Sequence, residues 1–120
     1  RRYEIPANVL DRLEELRVLT PNSRGYDDDD VKIIEAISRF RAGGYDEQLG
    51  FTVYDTLRYR EALEPLVAEE VRTLLDRLVG EVDADRAVEI ISAGAEPLRE
   101  LIGAMHGKLL LAELRRQRDG

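Results

Sequence analysis

An all-α fold is predicted for this 120-residue chain, and three observations predict it. Apolar residues recur three and four positions apart through most of the sequence, which lines them along single helical faces. Aspartate or proline stands before these stripes and glycine after them, as helix starts and stops require. Apolar residues make up 43% and charged ones 36%, a balance that suits small helices with wet outer faces.

The first helix is expected over Ile5–Arg17. Pro6 suits an early helical position, and Val9, Leu10, Leu13 and Leu16 share a stripe. Leu19 to Gly25 then breaks it with both a proline and a glycine. In the second helix Tyr26-Asp27-Asp28-Asp29-Asp30 precedes Val31, Ile34, Ile37 and Phe40. Aspartate caps helices well, and further carboxylates in the first turn meet the positive end of the dipole. Successive helical residues point about 100° apart, so these four neighbours do not converge on one ion; the run reads as a cap on a solvated face. Gly43-Gly44 supplies the stop.

Residues 45–51 form a connector. A helix is expected from about Thr52 to Ala62, with Pro65 either kinking it or opening the next. From Pro65 to Val79 the stripe is Leu66, Val67, Val71, Leu74, Leu75 and Leu78, and Gly80 ends it. Asp83 or Asp85 caps a last helical region that runs to about Arg116, with an interruption near Gly94–Pro97. Glu-Pro-Leu occurs at 64–66 and again at 96–98, a faint echo of a repeated helix pair. In the last region Leu98, Leu101, Ile102, Met105, Leu109 and Ala112 form a broad apolar set, widened by Leu110, Leu111 and Leu114. A helix apolar over more than one face needs two partners. One candidate is a second subunit, which makes those six residues a dimer interface and the protein a homodimer; the other is a central core position.

Bulk properties narrow the function. The net charge is −7, and no segment before the last helical turns is basic: residues 1–50 hold 8 Lys+Arg against 11 acids, 51–107 hold 6 against 12, and 108–120 hold 4 against 2. Autonomous grip on a duplex normally needs a basic face, so this balance argues against it. Arg115, Arg116 and Arg118 complement a helix C-terminus cheaply. Zero cysteines exclude a disulfide framework and a thiolate metal site, and fit a cytoplasmic protein. No apolar run is long enough to cross a bilayer. The chain starts Arg1-Arg2-Tyr3, and is read as a piece of something longer. It carries no phosphate loop, nucleophile elbow or histidine-rich metal motif, so neither an enzyme nor a cofactor protein is expected. His106 is the only histidine and has no partner nearby in sequence; it reads as a packed or surface residue. Tyr54, Arg58 and Tyr59 lie close together on one helix, offering aromatic walls and a cation to an anionic or aromatic ligand, or else ordinary packing.

The stretch from Ile5 to Gly50 contains Leu13-Glu14-Glu15-Leu16-Arg17-Val18-Leu19-Thr20-Pro21, then Arg24-Gly25-Tyr26, then Asp30-Val31 and a helix ending Phe40-Arg41-Ala42-Gly43-Gly44-Tyr45. In that order and spacing these pieces resemble the second half of the winged helix-turn-helix domain of the MerR family of transcription regulators. The likeness covers roughly 45 residues. It implies a partial winged helix-turn-helix over 1–50, followed over 51–120 by helices that pair subunits and sense an effector. Departures are informative. The family's first helix is absent or reduced to Arg1–Glu4, the recognition-helix Arg-Tyr-Tyr-like run is replaced by Asp11-Arg12-Leu13, and the wing's Gly-Tyr is followed by four aspartates. Carboxylates beside a phosphate backbone repel it. The resemblance therefore implies a degenerate copy, in a regulator that reaches DNA mainly through an upstream domain. Arg12 and Arg24 are the phosphate contacts such a copy retains. Two alternatives stand beside this reading: the segment itself contributes to DNA binding, or it is a protein-interaction or small-molecule-sensing domain unrelated to transcription.

Overall fold

The structure, a computed structural model, describes residues 5–120. Arg1–Glu4, to which the family's first helix is reduced if it is not absent, lie outside them. Among the described residues the fold is all-α: α1 (Ala7–Glu15), α2 (Asp28–Ala42), α3 (Val53–Leu78) and α4 (Ala84–Asp119), with a short 3-10 turn, η1 (Glu47–Leu49), before α3. The chain forms two compact units, one through Glu70 and one over Val71–Gly120. The division falls within α3.

The first unit holds the buried core. Leu13 of α1 and Ile34 of α2 are fully buried together with Leu19 and Ile5, and Val9, Leu10, Val18, Tyr26, Ile33, Ile37 and Val53 pack around them. Each such aliphatic side chain contributes about 1.5–3 kcal/mol through burial, which is how two short helices hold together. Helix α1 is shorter than its stripe suggests. Pro6 takes the extended N-cap position rather than a helical one, and Arg17 lies beyond the C-terminus.

Both short helices end in the same motif. At the end of α2, Tyr45 N–H donates to the Phe40 carbonyl (2.9 Å) and Gly44 N–H to that of Arg41 (3.2 Å), with Gly44 at φ +115°. At the end of α1, Val18 N–H donates to Leu13 (2.9 Å) and Arg17 N–H to Glu14 (3.1 Å). Here the left-handed residue is Arg17, at φ +63°, a position that glycine usually fills. A side chain there costs about 1–2 kcal/mol. The Arg17 carbonyl is held by Arg60 Nε of α3 at 2.8 Å, which fixes α3 against this turn.

The start of α2 follows the capping expectation and corrects one part of it. Asp27 accepts from Asp30 N–H (2.8 Å), and the Asp30 carboxylate accepts in return from Asp27 N–H (3.3 Å). Asp28 and Asp29 are exposed, but Asp30 is only 3% exposed and its other oxygen accepts from Thr20 N–H (3.1 Å). The aspartate run is therefore not wholly a solvated face. Between α1 and α2, Asn22 and Gly25 exchange two backbone hydrogen bonds (3.0 and 2.9 Å), an isolated antiparallel bridge around Ser23 and Arg24.

Pro65 does not open a new helix, and no interruption occurs near Gly94–Pro97. Helix α3 runs through Pro65 and α4 through Gly94–Pro97. A proline inside a helix frees the carbonyl four residues earlier, here those of Glu61 and Ala93. Residues 61–69 and 91–101 are exposed, so water can satisfy what the proline leaves unpaired. In the second unit Gly80 (φ +82°) turns the chain, and Asp83, not Asp85, caps α4 by accepting from Arg86 N–H (2.8 Å). No residue of α3 or α4 is buried. No helix of the described residues is long and apolar enough to cross a membrane.

Candidate functional site

A cavity of about 210 Å³ opens in the first unit where the end of α2, the 45–51 connector and the beginning of α3 meet. Its position follows from the way α2 stops. The left-handed Gly44 folds the chain back so that the Tyr45 ring meets Phe40, with centroids 5.1 Å apart and planes inclined at 48°. The connector is then fastened locally: Asp46 accepts from Gln48 N–H (3.1 Å), Phe51 N–H donates to the Asp46 carbonyl (3.0 Å), and Gly50 takes φ +88°. This brings Phe51 to 4.9 Å from Tyr45, centroid to centroid. Three aromatic rings thus line one side, while Val9, Leu13, Ile37 and Val53 back the cavity and Thr52, Thr56 and Tyr59 approach from α3 and its approach.

Polar groups ring the mouth. Arg41 Nη1 lies 2.5 Å from Glu47 Oε2, and Arg58 Nη2 lies 3.3 Å from Asp55 Oδ1. The hydrogen bond from Arg41 holds the Glu47 carboxyl below the usual glutamate range. Asp55 also accepts from Thr52 N–H (2.9 Å), which fastens the first turn of α3.

Of the three residues proposed from sequence for a ligand, Arg58 and Tyr59 line this cavity and Tyr54 does not. Tyr54 meets Arg12 instead, whose guanidinium carbon lies 5.9 Å from the ring centroid. Arg12 is further engaged by Glu15 (2.8 Å). Arg24 stands at the exposed tip of the Asn22–Gly25 bridge, where its backbone N–H donates to Asn22 Oδ1 (2.8 Å). Phe40, Tyr45 and Phe51, the aromatic wall, have no periodic pattern that marks them as a site: Phe40 continues the apolar stripe of α2, and the other two belong to the connector. The signal available was an aromatic pair flanking Gly43-Gly44 and a third aromatic after Gly50.

The six residues expected at a subunit interface lie along α4. Leu98, Leu101, Met105, Leu109 and Ala112 are exposed and Ile102 is half-buried. His106 is exposed, and no cluster of three or more potential metal ligands exists among the described residues.

Tyr26 ties the bridged turn to α1: its hydroxyl donates to Glu14 Oε2 at 2.5 Å. That bond, helped by partial burial and nearby carboxylates, pushes the phenol up from 10.0 to about 12. A raised phenol pKa contributes stability that is complete below pH 10 and lost as pH rises towards 12. Urea denaturation at stepped pH is expected to show this alkaline loss, and Tyr26→Phe to remove it while costing about 1 kcal/mol at neutral pH. An unchanged alkaline profile in the variant contradicts the assignment.

Compared with models of protein families, with curated proteins and with solved structures, this chain matches none of them.

Proposed function

We propose that this chain is the dimerising and regulatory part of a MerR-like bacterial transcription regulator, a non-enzymatic cytoplasmic protein in which DNA is read mainly by a domain N-terminal to it. The observation that carries this reading is the acidic start of α2. Where a functional wing leads into its helix with cations, this chain places Asp28 and Asp29 in solvent and uses Asp27 and Asp30 as a reciprocal cap. Such a block repels a phosphate backbone. Arg12, the cation on α1 proposed to face DNA, is already engaged by Glu15 and Tyr54, which supports the same view. Pairing of subunits is supported by the exposed apolar residues of α4, since a contiguous apolar strip of that length marks an interaction surface.

A second reading draws on Arg24. Its place at the exposed tip of a bridged two-residue turn is where a wing would meet a phosphate, and it favours direct participation in DNA binding. Fluorescence anisotropy with mixed-sequence duplex at low salt separates the two. The first reading expects no saturable binding by this chain. Micromolar binding that weakens steeply with added salt, and is lost in Arg24→Ala, establishes the second.

A further inference from the structure

We propose that the cavity between α2, η1 and the start of α3 is a binding site for a small, uncharged aromatic molecule of one or two rings. Three features select that class. Size comes first: about 210 Å³ is below the volume that drug-sized ligands occupy, and too confined for a helix or strand of a partner protein. The wall comes second. Phe40, Tyr45 and Phe51 stand at mutual inclinations of 48° and 32°, so edges and faces are both presented to an incoming ring. Phe40 and Tyr45 remain more than half exposed, and a ring seated against them removes that apolar surface from water.

Charge is the third feature and excludes the neighbouring classes. The two arginines at the mouth are each matched by a carboxylate, Arg41 by Glu47 and Arg58 by Asp55. A carboxylate ligand meets the carboxylates of Glu47 and Asp55 beside each guanidinium and is repelled by them, and a cationic one meets the two arginines; a neutral ring meets neither repulsion. The hydroxyls of Thr56 and Tyr59 lie on the lining residues and offer a hydrogen bond to a ring N–H or O–H. Because Gly44 and Gly50 fix the connector in left-handed turns, the wall is formed before the ligand arrives. Use of this site to control the protein rests on the regulatory reading above; binding rests on the cavity alone.

The test is a two-dimensional amide NMR titration of the full chain with three probes of comparable size: indole, benzoate and benzylamine. Indole is expected to saturate, with shifts confined to residues around Phe40, Tyr45, Phe51 and Tyr59, and to bind at least about tenfold more tightly than either charged probe. Thr56→Phe, which fills the cavity, is expected to weaken indole by about tenfold or more, and Ile37→Phe serves as a second plug. Retained amide dispersion shows in each case that the variant is folded. Glu47→Gln frees Arg41 and is expected to raise benzoate affinity relative to indole. Linear, non-saturating shifts overturn the proposal, as does benzoate or benzylamine binding more tightly than indole to the native chain. Indole binding that survives both plugs in folded protein overturns it as well. None of these outcomes touches subunit pairing or DNA, so the site and the regulatory reading fail separately.

Discussion

Asp30→Ala is expected to destabilise the first unit by about 2–4 kcal/mol, measured by urea denaturation followed by circular dichroism. The side chain is 3% exposed and its two oxygens serve different parts of the fold. One accepts from Thr20 N–H, on the segment that leads from the buried Leu19; the other accepts from Asp27 N–H and closes the capping box of α2. Alanine removes both acceptors. It leaves the N–H of Thr20, next to the buried Leu19, without its carboxylate acceptor, and hydrogen bonds to a charged group are among the stronger ones. Asp30→Asn refines the argument. An amide offers only one acceptor, so one N–H is left facing an NH₂ group, and an intermediate loss is expected. Asp28→Ala, at an exposed first-turn position, is the control and is expected to change stability by less than about 0.5 kcal/mol. A loss in Asp30→Ala no larger than in that control shows that water replaces the carboxylate, and that the box is incidental.

This residue also marks the limit of what the sequence discloses. Four consecutive aspartates before an apolar stripe announce a helix start, and the start is there. Which carboxylate is inside depends on where Thr20 comes to lie, ten positions away, and no local pattern carries that information. The stop of α2 was legible because Gly43-Gly44 supplies the left-handed residue that the ending needs. The stop of α1 was not, because Arg17 occupies the same left-handed position with no glycine to announce it; helical periodicity extends past the true end. Pro65 and Pro97 stand inside continuous helices for a physical reason. A proline costs a helix most where the freed carbonyl is sealed from water, and both lie on exposed stretches.

The candidate site was half visible. Arg58 and Tyr59 are adjacent in the chain, so connectivity alone keeps them near one site. Tyr54 shares that helix but points its ring towards Arg12, and spacing alone does not say on which side of a helix the cavity lies. Phe40, Tyr45 and Phe51 are assembled by two left-handed glycines and a 3-10 turn, elements with no period to read.

Met105→Asp is expected to convert the proposed dimer into a monomer, weakening self-association by at least about thirtyfold. The reason lies in the second unit. Leu98, Leu101, Met105 and Leu109 are 39–70% exposed, and neither α3 nor α4 buries a single residue. An apolar strip of this kind is stable in water chiefly when another surface covers it, and the proposed cover is the same strip of a second copy. Sedimentation at micromolar concentration is expected to give twice the chain mass of 13.7 kDa for the native protein. Met105 is 49% exposed in one chain, so an aspartate there stays hydrated in the monomer and becomes costly only when a partner covers it. Ile102 is half-buried already, and Ile102→Asp therefore risks the fold as well as the pairing. The two variants separate the effects: Met105→Asp keeps its helical circular dichroism while the mass halves, and Ile102→Asp loses both. Arg99→Ala, on the same helix, breaks only an exposed pair with Glu96 and leaves the mass unchanged. A native chain that sediments as a monomer removes the pairing altogether.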